Sequence, residues 1–290
     1  MPPLKKYNKP ALTAAALVAH LQDKGLEIRD LDSATESIES IGYYRLLIYM
    51  RPFQDATKHF SPATAVDDIL ELYEFDRKLR LLCLDAIERI EVALRSALIN
   101  KLAVPYGPHF YVDQTHYANA RGWQNFLDNA RDAQYLAITH YRNTYSSPAE
   151  PPIWAVLEAL TFGALSHFFA DLSLPNRKLI AKVFAFDEKV LVSWFRAINT
   201  LRNMCAHHNR LWNFTFLVNQ PMMSKSLSST FSKPDTFHAR AVILAALINS
   251  TGTAPDWKPR LIELLKRRPA KISPTDMGFP SNWEAESFWL

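Results

Sequence analysis

Residues 64–98 read TAVDDILELYEFDRKLRLLCLDAIERIEVALRSAL, and this one stretch decides the fold class. Its apolar positions Val66, Ile69, Leu70, Tyr73, Leu79, Leu82, Cys83, Ala86, Ile87, Ile90, Leu94, Ala97 and Leu98 recur with a period near 3.6. A helix gathers such positions on one side, whereas a strand scatters them over both faces. Thr64 and Asp67 have the spacing of a capping box at its start, and nothing breaks the pattern before Pro105 and Gly107. The expectation is one helix of about 35 to 40 residues, or two collinear ones. Between the apolar positions lie Asp76, Arg77, Arg80, Asp85, Glu88, Arg89, Glu91 and Arg95. Mixed in sign, they read as a solvated face laced by i,i+4 ion pairs.

The rest of the chain follows the same period. A helix over 13–24 stops at Gly25, and a second begins after Asp32-Ser33 and ends near Gly42. Further helices are expected over 120–141, over 152–171 with Pro152 in a first turn, over 176–184, and from 187 onward. Weaker ones cover 236–250 and 258–266. The expected fold is all-α, a helical bundle with an N-terminal helical segment (1–60), a core (61–215) and C-terminal helices with a docking tail (216–290). Glycine supports it, because 7 in 290 residues is about a third of the usual ~7%. A sheet-rich fold with many tight turns, or a glycine-rich phosphate loop, is excluded. Tyr43, Tyr44 and Tyr49 are expected as core packing, and Trp257, Trp283 and Trp289 as residues that dock back onto the helices.

The formal net charge is only +4, so any basic site must be local. Two cysteines, Cys83 and Cys205, both in apolar surroundings, fit buried free thiols in a reducing cytoplasm. No metal or other cofactor is expected. The longest apolar run, residues 241–248, is far below the ~20 residues that span a bilayer. Lys5, Lys6 and Lys9 before the alanine-rich 14–19 have the outline of a signal peptide, but the amphipathic continuation through Leu21 and Leu26 reads better as a capped helix.

Residues 187–213 carry the candidate chemistry. On a helix, steps of 100° place Arg196, Asn199, Asn203, His207 and Arg210 along one line. Opposite them fall Leu191, Trp194, Ile198, Leu201, Cys205 and Trp212. The polar strip can hydrogen-bond an anion and exchange a proton. Arg202 lies between the faces, roughly 140° from His207 on an ideal helix. Residues 202–207, Arg202-Asn203-Met204-Cys205-Ala206-His207, form an R-x4-H pattern, weak by itself. His208 reads as structural. No P-loop, nucleophile-elbow or H-E-x-x-H pattern is present.

Several blocks together resemble a known family. They are Ile41-Gly42-Tyr43-Tyr44-Arg45-Leu46, Leu72 to Arg80 (LYEFDRKLR), Ala86 to Arg95 (AIERIEVALR), Leu201 to Asn213 (LRNMCAHHNRLWN), Asp256-Trp257-Lys258, and Met277 to Trp283 (MGFPSNW). With them the chain resembles the Abi-like abortive-infection proteins of the AbiD/AbiF type, members of the HEPN superfamily. The resemblance implies a metal-independent endoribonuclease of phage defence, toxic to its host, with its site assembled between two copies. It implies RNA as substrate, a small non-coding RNA as a partner, and no DNA or membrane partner. Arg202, Asn203 and His207 would be catalytic, and Arg196, Asn199, Arg210, Arg77 and Arg80 would contact RNA. RNA carries its own nucleophile, the 2′-hydroxyl, so cleavage needs only a base, an acid and cationic stabilisation of the phosphorane. A non-catalytic RNA-binding module and a protein-interaction scaffold remain the alternatives.

Overall fold

Local capping chemistry starts the helices. The Thr13 hydroxyl accepts from the Ala16 amide and opens α1 (Ala14–Asp23), and the Asp30 carboxylate accepts from Ser33 and opens α2 (Leu31–Ile41). The latter therefore starts ahead of the Asp32-Ser33 expected from sequence. Gly42 follows with φ +94°, a conformation that side chains resist, and redirects the chain into α3 (Tyr43–Met50). The structure, a computed structural model, describes residue 6, residues 10–231 and residues 233–290. Lys5 and Lys9 of the basic N-terminal stretch lie outside the described residues.

The expected long helix is a single one, α4 (Val66–Leu98), but its cap differs by one position from the expectation. Ala65 precedes the helix and donates its amide to Asp68 Oδ2 at 2.8 Å, while the Thr64 hydroxyl turns away to the Ser61 carbonyl. After α4 the backbone passes through a π turn (Ile99–Ala103), in which the Val104 amide reaches back to Ile99. Pro105, which has no amide hydrogen to give Lys101, sits in the short α5 (Val104–Tyr106) that follows.

The expected helix over 120–141 is two, α6 (Ala120–Asp132) and α7 (Leu136–Thr144). Residues 133–135 hold no glycine or proline to announce the break, and Arg142 compensates by donating to the Arg131 carbonyl. The expected helix over 152–171 also divides, into α8 (Ile153–Ala159) and α9 (Phe162–Asp171), with Thr161 capping the second through the Ala164 amide. Then come α10 (Leu174–Phe184), α11 (Glu188–Ala206), α12 (Phe237–Thr251) and α13 (Trp257–Lys266). Among the described residues there is no strand, only isolated bridges such as Glu27 with Ala65, so the fold is all-α.

The chain divides into two units. The first runs through Arg77 and adds Arg268–Ile272. In it Val18, Leu21, Ile38, Leu46, Tyr49 and Met50 are buried, and the Tyr49 hydroxyl donates to the buried Asp76 carboxylate at 2.8 Å. Lys271 bridges Asp68 and the Ala63 carbonyl, both at 2.6 Å. Tyr49 thus packs as expected, whereas Tyr44 is exposed.

The second unit comprises Lys78–Arg267 and Ser273–Leu290. Its most enclosed element is α12, buried at every residue from Phe237 to Ile248 and packed against α10, α11 and α13. It reads as weak in sequence because a helix covered on all sides carries no amphipathic contrast. The tryptophans of the C-terminal part dock as expected: Trp257, Trp283 and Trp289 are buried, and the Trp257 indole donates to the Leu82 carbonyl. Both cysteines are buried and neither forms a disulfide. Among the described residues, no helix is long and apolar enough to cross a membrane.

Candidate functional site

The polar strip lies on α11, whose first turn is capped by Asp187. Its carboxylate accepts from the Lys189 amide at 2.9 Å, and this backbone bond holds its pKa below the usual carboxylate range. The opposite face is as expected: Leu191, Trp194, Ile198, Leu201 and Cys205 are buried, and so is Trp212 beyond the helix. The Trp194 indole donates to the Met222 carbonyl, and Ser193 binds the backbone at Gln220 and Met222. These bonds hold the segment after the motif along the helix.

The helix ends sooner than the strip requires. His207 is the C-cap, and its amide donates to the Asn203 carbonyl at 2.9 Å. His208 then adopts a left-handed φ of +58°. The His208 amide reaches the Cys205 carbonyl at 3.0 Å and the Asn209 amide reaches Met204 at 2.8 Å. This is a Schellman motif with histidine where glycine is usual. Arg196, Asn199 and Asn203 therefore share the helical face, and His207 finishes it at the cap. Arg210 lies beyond the turn, 5.9 Å from the Trp212 ring, so it is not on the helical line the spacing implied.

Exposure follows the same division. Arg196, Asn203 and His207 are exposed, whereas Arg202, Asn199 and Arg210 are partly covered. Asn199 is held against α9, where a Cβ built on Gly163 would lie 3.2 Å from its amide atoms. Glycine at 163 lets the two helices approach this closely. The Arg202 guanidinium makes one long hydrogen bond, 3.5 Å, to Asn203 Oδ1. Among the described residues, no hydrogen bond or ion pair joins Arg202 to His207.

On α4, a carboxylate that feels the charge of Arg202 is already paired with another arginine. Glu91 and Arg95 form an ion pair at 2.6 Å with side chains only 19% and 15% exposed. Arg95 also donates to the Leu157 and Leu160 carbonyls, both at 3.0 Å. Burial pushes the Glu91 carboxyl above its usual range, while the charges of Arg95 and Arg202 oppose that rise. The sequence reading put both residues on a solvated face. Glu91 is one turn from the buried Ile87 and Arg95 one turn from the buried Leu98, close enough to the buried arc for both side chains to be largely covered.

Of the two α4 arginines expected to contact RNA, Arg77 is exposed and Arg80 is buried. Arg77 is exposed in the first unit and forks onto Glu74 at 2.8 and 3.2 Å. Arg80 is 4% exposed, so it offers no surface to RNA. It stands on the same side of α4 as the buried Asp76 and Cys83, one turn either way, where the helix is enclosed.

A family model described as Abi-like protein matches residues 36–213. The chain belongs to the Abi-like protein family. The matched span runs from α2 through the capped end of α11 and contains Glu91, Arg95 and the complete R-x4-H pattern. The blocks at Asp256-Trp257-Lys258 and 277–283 lie beyond it. No curated protein and no solved structure matches the chain. In this Abi-like chain the C-terminal turn of α11 thus gathers a cation, an amide and an imidazole at one accessible helix end.

Proposed function

We propose that this Abi-like protein is a HEPN-type, metal-independent endoribonuclease acting in abortive infection, and so toxic to the cell that makes it. The observation that carries the reading is the end of α11, where among the described residues Arg202 has only Asn203 as a long hydrogen-bond partner and His207 is exposed at the cap. Arg202 stabilises charge on a phosphate, Asn203 orients the phosphate or the imidazole, and His207 moves the proton. Arg196, Asn199 and Arg210 contact the flanking RNA backbone.

The reaction needs no external nucleophile. The 2′-hydroxyl loses its proton to a base, its oxygen attacks the adjacent phosphorus, and the bond to the 5′-oxygen breaks as that oxygen receives a proton. The products are a 2′,3′-cyclic phosphate and a 5′-hydroxyl. Base and acid are two groups, yet each chain supplies one R-x4-H histidine, so the active species is a two-fold dimer that brings two His207 residues to one phosphate. DNA, lacking the 2′-hydroxyl, is spared. The substrate is cytoplasmic RNA, and a small non-coding RNA is a candidate partner of the same strip.

The test is incubation of purified protein and its His207→Ala variant with total cellular RNA in EDTA. Cleavage by the parent with cyclic phosphate ends, absent from the variant, is expected. Cleavage at parental rate by His207→Ala overturns the assignment, and loss in EDTA with rescue by Mg²⁺ overturns the metal-free chemistry.

A further inference from the structure

We propose that the groove between α6 and α9 is a nucleobase subsite, in which Asp171 receives the N1–H and N2–H donors of a guanine and so selects the stretch of single-stranded RNA that lies along the α11 strip. The inference rests on the ribonuclease reading for its ligand, RNA, and adds residues that the R-x4-H pattern does not contain.

The groove has a volume of about 560 Å³, within the range of small-molecule sites. Asn125 and Asp128 of α6 and His167 and Asp171 of α9 line it, together with Phe126 and Phe168, whose rings stack at 3.8 Å. The helix α9 also packs against α11, where Gly163 meets Asn199 of the polar strip. His167 follows Gly163 by four residues and so lies one turn along the same side of α9. A groove that begins one helical turn from the strip is within reach of a base on RNA bound there.

Neither lysine nor arginine lines the groove, and its two carboxylates repel a phosphate, so a base and not the backbone enters. Among the described residues, no three His, Cys, Asp or Glu side chains are grouped to hold a metal ion. Asp171 is placed there against local preference. It is the last residue of α9, where the helix dipole disfavours negative charge. Among the described residues its carboxylate has no hydrogen bond or ion pair, and Arg177 bonds the neighbouring Ala170 carbonyl instead. A Cβ built on Gly122 would lie 2.7 Å from the Asp171 Cβ and 2.8 Å from its Cγ. Of the seven glycines, only Gly122 and Gly163 stand inside helices. One admits Asp171 to the groove and the other seats Asn199 of the strip.

A carboxylate accepts hydrogen bonds through two oxygens side by side. Guanine alone among the RNA bases presents two adjacent N–H donors on its Watson–Crick edge. Adenine and cytosine set a ring-nitrogen acceptor beside the amino group, and uracil flanks its single N–H with carbonyls. Single-stranded RNA is read on that edge and against aromatic or imidazole rings. Gln124 donates to the Asp128 carboxylate at 2.8 Å, which leaves Asp171 as the uncommitted acceptor. Asn125 offers an amide donor for O6 of the same base, and His167 an imidazole face.

The experiment measures, by fluorescence anisotropy in EDTA, the binding of labelled 2′-O-methyl hexauridylates that carry one guanosine, inosine or adenosine. The blocked 2′-oxygen cannot attack, and inosine differs from guanosine only in lacking the N2 amino group. The full-length parent should bind the guanosine probe at least ~10-fold more tightly than the inosine probe, the scale of one hydrogen bond to a charged group. Asp171→Asn, which exchanges one acceptor for a donor, should bind the two alike. Ala164→Leu, which fills the groove without removing a polar group, should lose the same preference, and it decides the matter if melts show Asp171→Asn unfolded. Equal binding of guanosine and inosine probes by the parent overturns the subsite, as does a preference kept by a folded Asp171→Asn or by Ala164→Leu. In cleavable RNA of the same sequences the parent should cut at a fixed spacing from guanosine. Guanosine-selective binding by a parent that cuts none of them keeps the subsite and removes the ribonuclease reading. Cleavage by a parent that binds guanosine and inosine alike does the reverse.

Discussion

Acid should destabilise the second unit through one residue of α12, His238. Its ring is 1% exposed, lies 4.6 Å from the Phe279 ring and 5.8 Å from that of Trp289, and its Nε2 is buried without a hydrogen-bond partner among the described residues. Burial lowers its pKa from 6.5 to about 4. A depressed pKa means the unfolded chain takes up the proton first. The stabilising contribution is complete above pH ~6.5, falls as the unfolded state protonates, and is lost by the time the pH reaches the folded value. Linkage between these two values gives a loss of about 2 kcal/mol by pH 5 and about 3 kcal/mol by pH 4. The comparison is with His238→Leu, similar in volume and unable to titrate. All seven tryptophans fall in the second unit, so urea unfolding followed by indole fluorescence reports on that unit alone. Between pH 7.5 and 4 the parent should lose about 3 kcal/mol more than the variant. Other titrating groups, including Glu286, whose buried carboxyl is raised and acts in the opposite sense, are common to both proteins and drop out of the difference. Parallel pH curves would refute the reasoning.

Arg202→Ala should abolish RNA cleavage while leaving the helical circular dichroism and melting close to the parent, since the side chain makes one long hydrogen bond; a cleaving variant takes the arginine out of the site. His208→Gly should relieve the left-handed φ of +58° and stabilise the second unit by about 1 kcal/mol, with cleavage retained; loss of cleavage would put the second histidine into the chemistry. Specific activity per chain should fall on dilution, with sizing showing a dimer in the active range. Constant activity from a species that stays monomeric with RNA bound removes the composite site.

Much of this architecture was legible because α4 and α11 each present one buried face, so their apolar period survives in the sequence. What was not legible has physical causes. The period vanishes in α12 because every side is covered. The end of α11 was misplaced because residues 207–210 contain no glycine, and histidine supplied the left-handed residue instead. The site's polar strip was visible at Arg196, Asn199 and Asn203, whereas Glu91 and Arg95 were lost to the assumption that charge implies solvent.

That assumption fails here for a reason rooted in composition. With 7 glycines in 290 residues, few helices can close with a glycine in the left-handed position, and their last carbonyls need other donors. Arginines supply them. Arg142 serves the Arg131 carbonyl near the end of α6, Arg95 serves Leu157 and Leu160 at the end of α8, and Arg177 serves Ala170 at the end of α9. Arg240, buried in α12, bonds the Pro234 and Thr236 carbonyls and lies 4.1 Å from the Phe216 ring. An arginine in this chain is thus often a structural donor, which makes those without backbone carbonyls or carboxylates the informative ones. Arg202 holds neither, and it stands at the one helix end where an exposed imidazole follows within two turns.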